Sequence, residues 1–400
     1  MNAHVDRTRP GKTVYLHVGA PTTGGAYLQR VLWDNRRRLG EDGVCYPVAG
    51  PLEHFGAVMD LRDLTWGGHR DPAWAGTWDR IAQRARDFDG HTVVLSQEQL
   101  GGANEEQVRR AVESFGDAEV HVVFTTRDLG WQLIFDWQEQ VRHGHTITFE
   151  RFVQDLVTLG IHAPEPFGEM FWGLHDPVRV LGMWEKAVPR ERVHVLTLPP
   201  PGAGPGPLWA RFCELTGIDP HRYELGGLEQ EPLTVVEAEL LRRMNGRLTD
   251  ALGGEYERMV RDHLIGGGLA EAADGTRRTP MGLPAKHAEW AAGRTRELVA
   301  TLRERGYRVQ GDLEELTTAR IPEAVLLPGE VPEDEVVTAM VAVVCNLLVR
   351  LAEVDDRIGL AHLQAQMAGV RENLELLLKT AANPSPGLQR AARRATGRKP

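Results

Sequence analysis

Residues 13–34 read TVYLHVGAPTTGGAYLQRVLWD, and this stretch decides the fold. Thr13–Val18 is a run of β-branched and aromatic residues, which predicts a buried strand. Gly19–Gly25 is a short loop of Gly, Pro and Thr, and from Ala26 the apolar residues recur at helical spacing. A strand, a glycine loop and a helix in this order form an anion cradle, because backbone N–H groups and the helix N-terminus point into it.

Three further runs predict buried strands: His91–Ser96, Glu119–Thr125 and Arg192–Leu198. Helical patterns lie between the strands, at Trp74–Phe88, Glu105–Phe115, Asp128 to about Arg142, Phe149–Leu159 and Asp176–Ala187. Strands that alternate with helices predict the α/β class, here a P-loop-type three-layer α/β/α fold with a mainly parallel central sheet. The chain from residue 200 to 320 is helical in pattern, and we expect residues 1–320 to form one domain.

The C-terminal part is predicted to be a helical extension over residues 321–382. Ile321–Glu333 resembles a linker, and Glu335–Leu351 and Arg357–Thr380 have the patterns of two more helices. Residues 383–400 are rich in Pro, Gly, Ala and Arg and predict a disordered basic tail.

Composition excludes several classes of protein. The 400 residues carry a net charge of −10, which disfavours a nucleic-acid partner, and 42% are hydrophobic, which excludes a disordered chain. The three cysteines are far apart, so neither a disulfide framework nor a metal pair is expected. The polar N-terminus lacks a signal sequence, and the apolar run Val336–Val349 is shorter than a membrane span. We therefore expect a cytoplasmic protein without membrane or metal. The strong preference for Arg over Lys is typical of a high-GC bacterial genome.

The loop differs from the one that binds magnesium–nucleoside triphosphates, GxxxxGK[ST]. Gly19 and Gly24 match that pattern, but Gly25 and Ala26 stand where Lys and Ser or Thr belong. The missing Lys removes a phosphate contact, and the missing hydroxyl removes the Mg²⁺ ligand. The sequence therefore disfavours a triphosphatase.

A different family matches better. Val18–Gln29 resembles the 5′-phosphosulfate loop of bacterial, and especially actinobacterial, sulfotransferases, which typically reads GxPKTGTTxLQ. Val94–Glu98 is similar to the family's strand ending in S-x-E, and Val122–His143 is similar to the strand, Arg and helix that hold the 3′-phosphate. The resemblance covers roughly residues 13–320. It implies transfer of a sulfuryl group from 3′-phosphoadenosine 5′-phosphosulfate to a small-molecule hydroxyl or amine, without a metal.

The resemblance assigns a role to each matched residue. Glu98 corresponds to the catalytic base. The cofactor-binding positions are Thr22, Thr23, Gly24, Gly25, Ala26, Arg127 and Phe135, and the substrate-facing positions are Trp137, Gln138, His143 and Trp172.

Several of these positions depart from the family pattern. Its loop Lys falls on Thr22, its two loop hydroxyls fall on Gly25 and Ala26, and its 3′-phosphate Ser falls on Phe135. No Lys or Arg lies between Thr13 and Gln29. Losing one electrostatic contact to a developing charge commonly costs on the order of 10²–10³ in rate. The cofactor site is therefore predicted to be degenerate.

Three functions remain open at this point. The chain can be a sulfotransferase-like protein with lost or altered cofactor use, an active sulfotransferase, or a repurposed biosynthetic enzyme of secondary metabolism that runs a non-sulfuryl reaction in the vacated site. The expected ligand is a small molecule, and the candidate partners are a second copy of the chain or a biosynthetic partner protein. Structural roles also remain open: Glu98 and Arg127 can serve a helix end or an ion pair, and the glycine loop can be a packing turn.

Overall fold

The computed structural model describes residues 11–66, 68–198, 204–226, 232–269, 279–321, 323–324, 326–354, 367 and 371. Its centre is a six-stranded sheet in the order β2-β3-β1-β4-β5-β6, and every neighbouring pair is parallel. The strands are β1 Thr13–His17, β2 Val44–Cys45, β3 Thr92–Ser96, β4 Glu119–Thr126, β5 Val193–Thr197 and β6 Arg308–Gln310. Every residue of β3 and β5 is buried, and so is every residue of β4 except Glu119, as expected for a sheet covered on both faces. The predicted α/β fold is confirmed.

Helices supply the two outer layers around one core cluster. The helices of the first half are α1 Gly25–Asp34, α2 Arg36–Glu41, α3 Glu53–Arg62, α4 Thr77–Asp87, α5 Glu105–Glu113, α6 Leu129–Arg142, α7 Phe149–Leu159, α8 Phe167–His175 and α9 Pro177–Trp184. They are followed by α10 Gly206–Thr216, α11 Val235–Leu252, α12 Tyr256–Arg258, α13 Ala285–Arg305, α14 Glu314–Thr318 and α15 Glu333–Val354. A π-helix covers Met259–Leu269.

Two strands were not predicted from the sequence, and both lie at sheet edges. β2 has two residues, paired with Thr92 and Val93, and β6 has three residues, paired with β5. Runs this short show no periodicity, because two or three residues cannot reveal an alternation. They form because a neighbouring strand offers them hydrogen bonds.

The sheet order places β1 between β3 and β4, so the chain leaves β1 toward one side and returns on the other. In open α/β sheets, ligands bind at the carboxyl ends of the strands where the order reverses. The end of β1 is therefore the expected position of a site.

The chain divides into two compact units, residues 1–257 with 277–337 and residues 258–276 with 338–400. The first unit contains the sheet. In the second, the π-helix packs on α15, where a Cβ at Gly268 would lie 3.1 Å from Cγ1 of Val343. Apart from Met367 and Arg371, the predicted second C-terminal helix and the basic tail lie outside the described residues, and the proposed domain bounds stay a prediction.

Helix α15 is longer than the apolar run that the sequence marks, since it continues through Arg350 and Glu353 to Val354. By length and composition alone its 22 residues could cross a membrane, with a mean hydropathy of 1.9 in the best 18-residue window. Core helices of soluble proteins pass the same test. Val341, Leu348 and Val349 are each more than half exposed.

Candidate anion-binding site

The loop after β1 leads directly into α1. No side chain accepts a hydrogen bond from the first backbone N–H groups of this helix. Gly24 caps the helix with φ at 87°, a left-handed conformation that favours glycine, and a Cβ there would overlap Cδ2 of Leu208. No side chain caps α1, and no acidic residue lies in its first turn. The helix N-terminus therefore presents backbone donors and partial positive charge toward the loop.

A chain of buried side chains forms the floor beneath the loop. Thr23 Oγ1 donates to the carbonyl of Ala20 at 2.6 Å, and Thr125 Oγ1 donates to the carbonyl of Gly19 at 2.9 Å. The ring of His17 bridges Thr125 Oγ1 at 3.0 Å and Ser96 Oγ at 2.7 Å. Polar side chains at the ends of three adjacent strands, the imidazole of β1 and the hydroxyls of β3 and β4, are thus tied together under the predicted cradle.

Burial lowers the pKa of His17 to about 4, against a smaller opposing effect of its backbone contact with Gly19, so the ring is neutral at pH 7. Sequence reasoning missed this histidine. The available signal was its position, a polar residue within an apolar strand two residues before the glycine loop.

Glu98, the predicted base, contacts the predicted loop directly. It opens a 3₁₀ turn, Glu98–Gly102, that follows β3. Gln29 Nε2 donates to Glu98 Oε2 at 3.0 Å and makes a longer contact of 3.4 Å with Ser96 Oγ. A Cβ at Gly25 would overlap Oε1 of Glu98. The carboxylate therefore lies against the start of α1, in the space that a side chain at position 25 would take.

Burial raises the pKa of Glu98, and the nearby carboxylate of Glu139 adds to this, while the hydrogen bond from Gln29 opposes it. A carboxyl group with a raised pKa at the edge of a cradle can take or give a proton nearer neutral pH than a free glutamate can.

Arg127 follows β4 at the same edge of the sheet and is a partly buried cation with unusually few polar contacts. It forms no hydrogen bond or ion pair with any residue that the structure describes, and its buried Nε has no partner. Its Cζ lies 4.8 Å from the ring centroid of Phe135, which stacks on Trp131 at 5.2 Å. Burial lowers the pKa of Arg127, against the attraction of Asp128.

The remaining loop positions bring no positive charge. Thr22 has φ at 56°, and its buried Oγ1 lacks a hydrogen-bond partner in the described part of the chain. Ala26 is exposed. Arg30, one turn further along α1, is also exposed and pairs with Asp34 on the same helix.

His143 lies in a separate charged cluster. Its Nδ1 is 2.7 Å from a carboxylate oxygen of Glu257, its Nε2 is 3.2 Å from Glu139, and the Trp66 ring contacts it edge-on at 5.4 Å. Burial alone would lower the pKa of His143, but the two carboxylates raise it to about 10. His143 is therefore an imidazolium at neutral pH, and Glu139 links this cluster electrostatically to Glu98.

The other predicted substrate residues are held by internal contacts. Trp137 is fully buried and donates to the Ile147 carbonyl at 3.0 Å, and Trp172 donates to the Leu156 carbonyl at 3.1 Å. The side chain of Gln138 exchanges two 3.0 Å hydrogen bonds with the backbone of Leu233. In this conformation the three side chains support the fold around the site.

A cleft of about 220 Å³ opens beside Phe135 on α6. Its walls are mainly apolar and include Trp131, Ile134, Leu233 and Met281. Within the described ranges, no group of three or more His, Cys, Asp or Glu residues could hold a metal ion.

No protein-family model and no curated protein matches the chain. Among solved structures, the chain is similar to the crystal structure of a sulfotransferase from Alicyclobacillus acidocaldarius, with 17% sequence identity and a TM-score of 0.37. The match covers 61% of this chain and 96% of that chain.

Proposed function

We propose that the chain is a sulfotransferase-like protein that binds a phosphorylated adenosine nucleotide at the loop Gly19–Gly25, with lost or altered use of phosphosulfate. The observation that carries this proposal is Arg127, whose buried Nε has no hydrogen-bond partner among the described residues, at the same edge of the sheet as a helix N-terminus that no side chain caps. Two features that favour an anion thus lie at one edge of the sheet.

A guanidinium nitrogen that is buried without a hydrogen-bond partner is costly, because its lost hydration is not replaced by protein contacts. A phosphate group would supply the missing acceptors with short, charge-assisted hydrogen bonds. The loop amides would receive a second anionic group at the α1 N-terminus. This distribution fits a nucleotide with phosphates on both sides of its ribose, as the sequence resemblance implies.

Altered cofactor use is supported by the loop itself. Sulfuryl transfer leaves negative charge on the departing phosphate, which the family stabilises with a loop cation and hydroxyls. Here Thr22, Gly25 and Ala26 occupy those positions, and the carboxylate of Glu98 lies against the same helix end. Charge stabilisation of the leaving group is therefore weaker than in the family pattern.

The cleft beside Phe135 favours a second candidate, a repurposed enzyme acting on a ligand with an apolar ring. Its volume of about 220 Å³ and its apolar walls suit such a group. Active sulfuryl transfer stays a third candidate, with Glu98 as the base.

Calorimetric titration with adenosine 3′,5′-bisphosphate tests the proposal. We expect micromolar binding by the wild type and a loss of at least about tenfold in Arg127→Met. Arg179→Met is the matched control, because Arg179 is exposed on α9. No binding at millimolar ligand, or equal binding by Arg127→Met, would overturn the proposal. Incubation with radiolabelled phosphosulfate and hydroxyl or amine acceptors then separates active transfer from lost transfer.

A further inference from the structure

The carboxylate of Glu98 lies where the cradle would receive an anion. Oε1 occupies the space next to Gly25, the first residue of α1, and Gln29 holds Oε2 at 3.0 Å from one turn further along the same helix. Residues four apart lie on one face of a helix, so Gly25 and Gln29 bracket the carboxylate between them. A negatively charged side chain at a helix N-terminus is itself a favourable arrangement.

We propose that Glu98 is a proton-coupled gate of the cradle, so that an anionic ligand group enters at the α1 N-terminus only together with one proton taken up by the Glu98 carboxylate. This inference rests on the proposed nucleotide site. The proton comes from solvent, and the resulting carboxyl group donates its O–H to an oxygen of the anion. The O–H bond of the Glu98 carboxyl group forms as an O–H bond of hydronium breaks, and the bonds of the ligand are unchanged.

The groups around Glu98 explain why its negative charge has to be neutralised when an anion binds. Gln29 faces it from α1, Ser96 from the end of β3 and Glu139 from α6, and Tyr46, which follows β2, interacts with it electrostatically. None of these four groups is a cation, and Glu139, the acid among them, is itself paired with Arg142 at 3.3 Å and with the His143 imidazolium at 3.2 Å. A carboxylate and a phosphate oxygen in contact there would repel each other, because none of the four groups that face Glu98 places a positive charge between them.

Two carboxylates in contact solve the same problem by sharing one proton. The direction of the Glu98 pKa, raised mainly by burial, is consistent with proton uptake at a higher pH than an exposed glutamate allows. Movement of the side chain is the alternative, but it would break the hydrogen bond from Gln29.

Gly25 is the residue that makes this arrangement possible. Any side chain at position 25 would meet Oε1 of Glu98, so a loop hydroxyl at position 25 and a carboxylate in this position exclude each other. Glycine at position 25, where the family has a hydroxyl residue, is therefore what allows the Glu98 carboxylate to lie against the start of α1.

Calorimetry of adenosine 3′,5′-bisphosphate binding at pH 8, in buffers of different ionisation enthalpy, measures protons taken up per ligand. We expect a value approaching one for the wild type and about one proton fewer for Glu98→Gln, which mimics the protonated carboxyl group. Glu98→Gln should also bind about tenfold tighter at pH 8 and show a weaker pH dependence. Glu106→Gln is the control, since it removes an exposed carboxylate from the neighbouring helix α5.

Binding by the wild type with no more proton uptake than Glu98→Gln overturns the gate and leaves the nucleotide site standing. Binding by Glu98→Gln but not by the wild type at pH 8 supports the gate. If neither protein binds at pH 6 or pH 8, the nucleotide site is rejected and the gate with it. Glu98→Ala repeats the comparison if Glu98→Gln does not fold, and the wild-type proton count stands without any variant.

Discussion

Gln29 Nε2 lies 3.0 Å from Glu98 Oε2, and this contact joins α1 to the end of β3. It places an acidic side chain across the start of a helix whose N-terminus is otherwise open. The contact depends on a glycine one turn earlier, at position 25, because that position must lack a Cβ. Loop, helix and carboxylate therefore behave as one packed unit.

Gly25→Ala should reveal this packing. The added methyl group would push the carboxylate off Gln29, so we expect the free energy of unfolding to fall by about 1–2 kcal/mol in urea titrations. Gly246→Ala is the matched control, because Gly246 lies inside α11 with open space around its Cα. There the substitution should stabilise by roughly 0.5–1 kcal/mol. Equal stabilisation by both variants would show that Glu98 is not fixed against Gly25.

His17→Leu should destabilise the fold by at least about 2 kcal/mol, because it leaves the buried hydroxyls of Ser96 and Thr125 without their ring partner. His17→Gln retains a donor and an acceptor and should recover part of the loss. Chemical unfolding of both variants measures the difference. A cost below about 0.5 kcal/mol for His17→Leu would contradict the bridging role.

Arg127→Met should leave the free energy of unfolding unchanged or raise it, although it removes the ligand contact. The guanidinium makes no hydrogen bond in the described chain, so the apolar replacement recovers desolvation cost without breaking a bond. Arg211→Met is the contrast, since Arg211 Nη2 pairs with Glu315 at 2.6 Å, and it should cost about 1–3 kcal/mol. A large loss in Arg127→Met would point to a structural role for Arg127.

The His143 cluster should make the stability of the fold decrease as the pH becomes alkaline. Its pKa in the folded chain, about 10, lies above the value of 6.5 for a free imidazole. The stabilising contribution is therefore complete below pH 6.5 and is lost as pH rises from there through 10. We expect the Tm of the wild type to fall more between pH 7 and pH 10 than that of His143→Gln. Parallel curves for the two proteins would contradict the imidazolium assignment, as would an NMR titration of His143 near pH 6.5.

The sequence was sufficient for the four longer strands and for the glycine loop after β1, because each is encoded by contiguous residues, whereas the edge strands β2 and β6 are too short to predict. It predicted Glu98 and Arg127 as site residues, and the structure places them after β3 and β4, the two strands that flank β1, while their roles stay a prediction. It did not identify Gln29 or Glu257, since their contacts join residues 69 and 114 positions apart. Such pairs become visible only when the chain is folded.

The aromatic residues show a second limit of predicting the site from the sequence. Trp137 and Trp172 have the residue type of a pocket wall, yet both are buried and donate to backbone carbonyls, whereas Phe135 and Trp131 line the cleft. All four are large and apolar, so the sequence pattern alone does not separate a core position from a cleft position. Trp131, Phe135 and Trp137 lie on α6 and differ in the side of the helix they occupy, whereas Trp172 lies on α8.

The floor beneath the loop has one further consequence. Its hydrogen bonds run between hydroxyls and a histidine that stays neutral above a pKa of about 4, so none of its members changes charge between pH 5 and pH 9. The conformation of the loop Gly19–Gly25 should therefore not depend on pH over this range. A pH dependence of ligand binding would therefore point to Glu98, because the residues of the floor keep the same charge over this range.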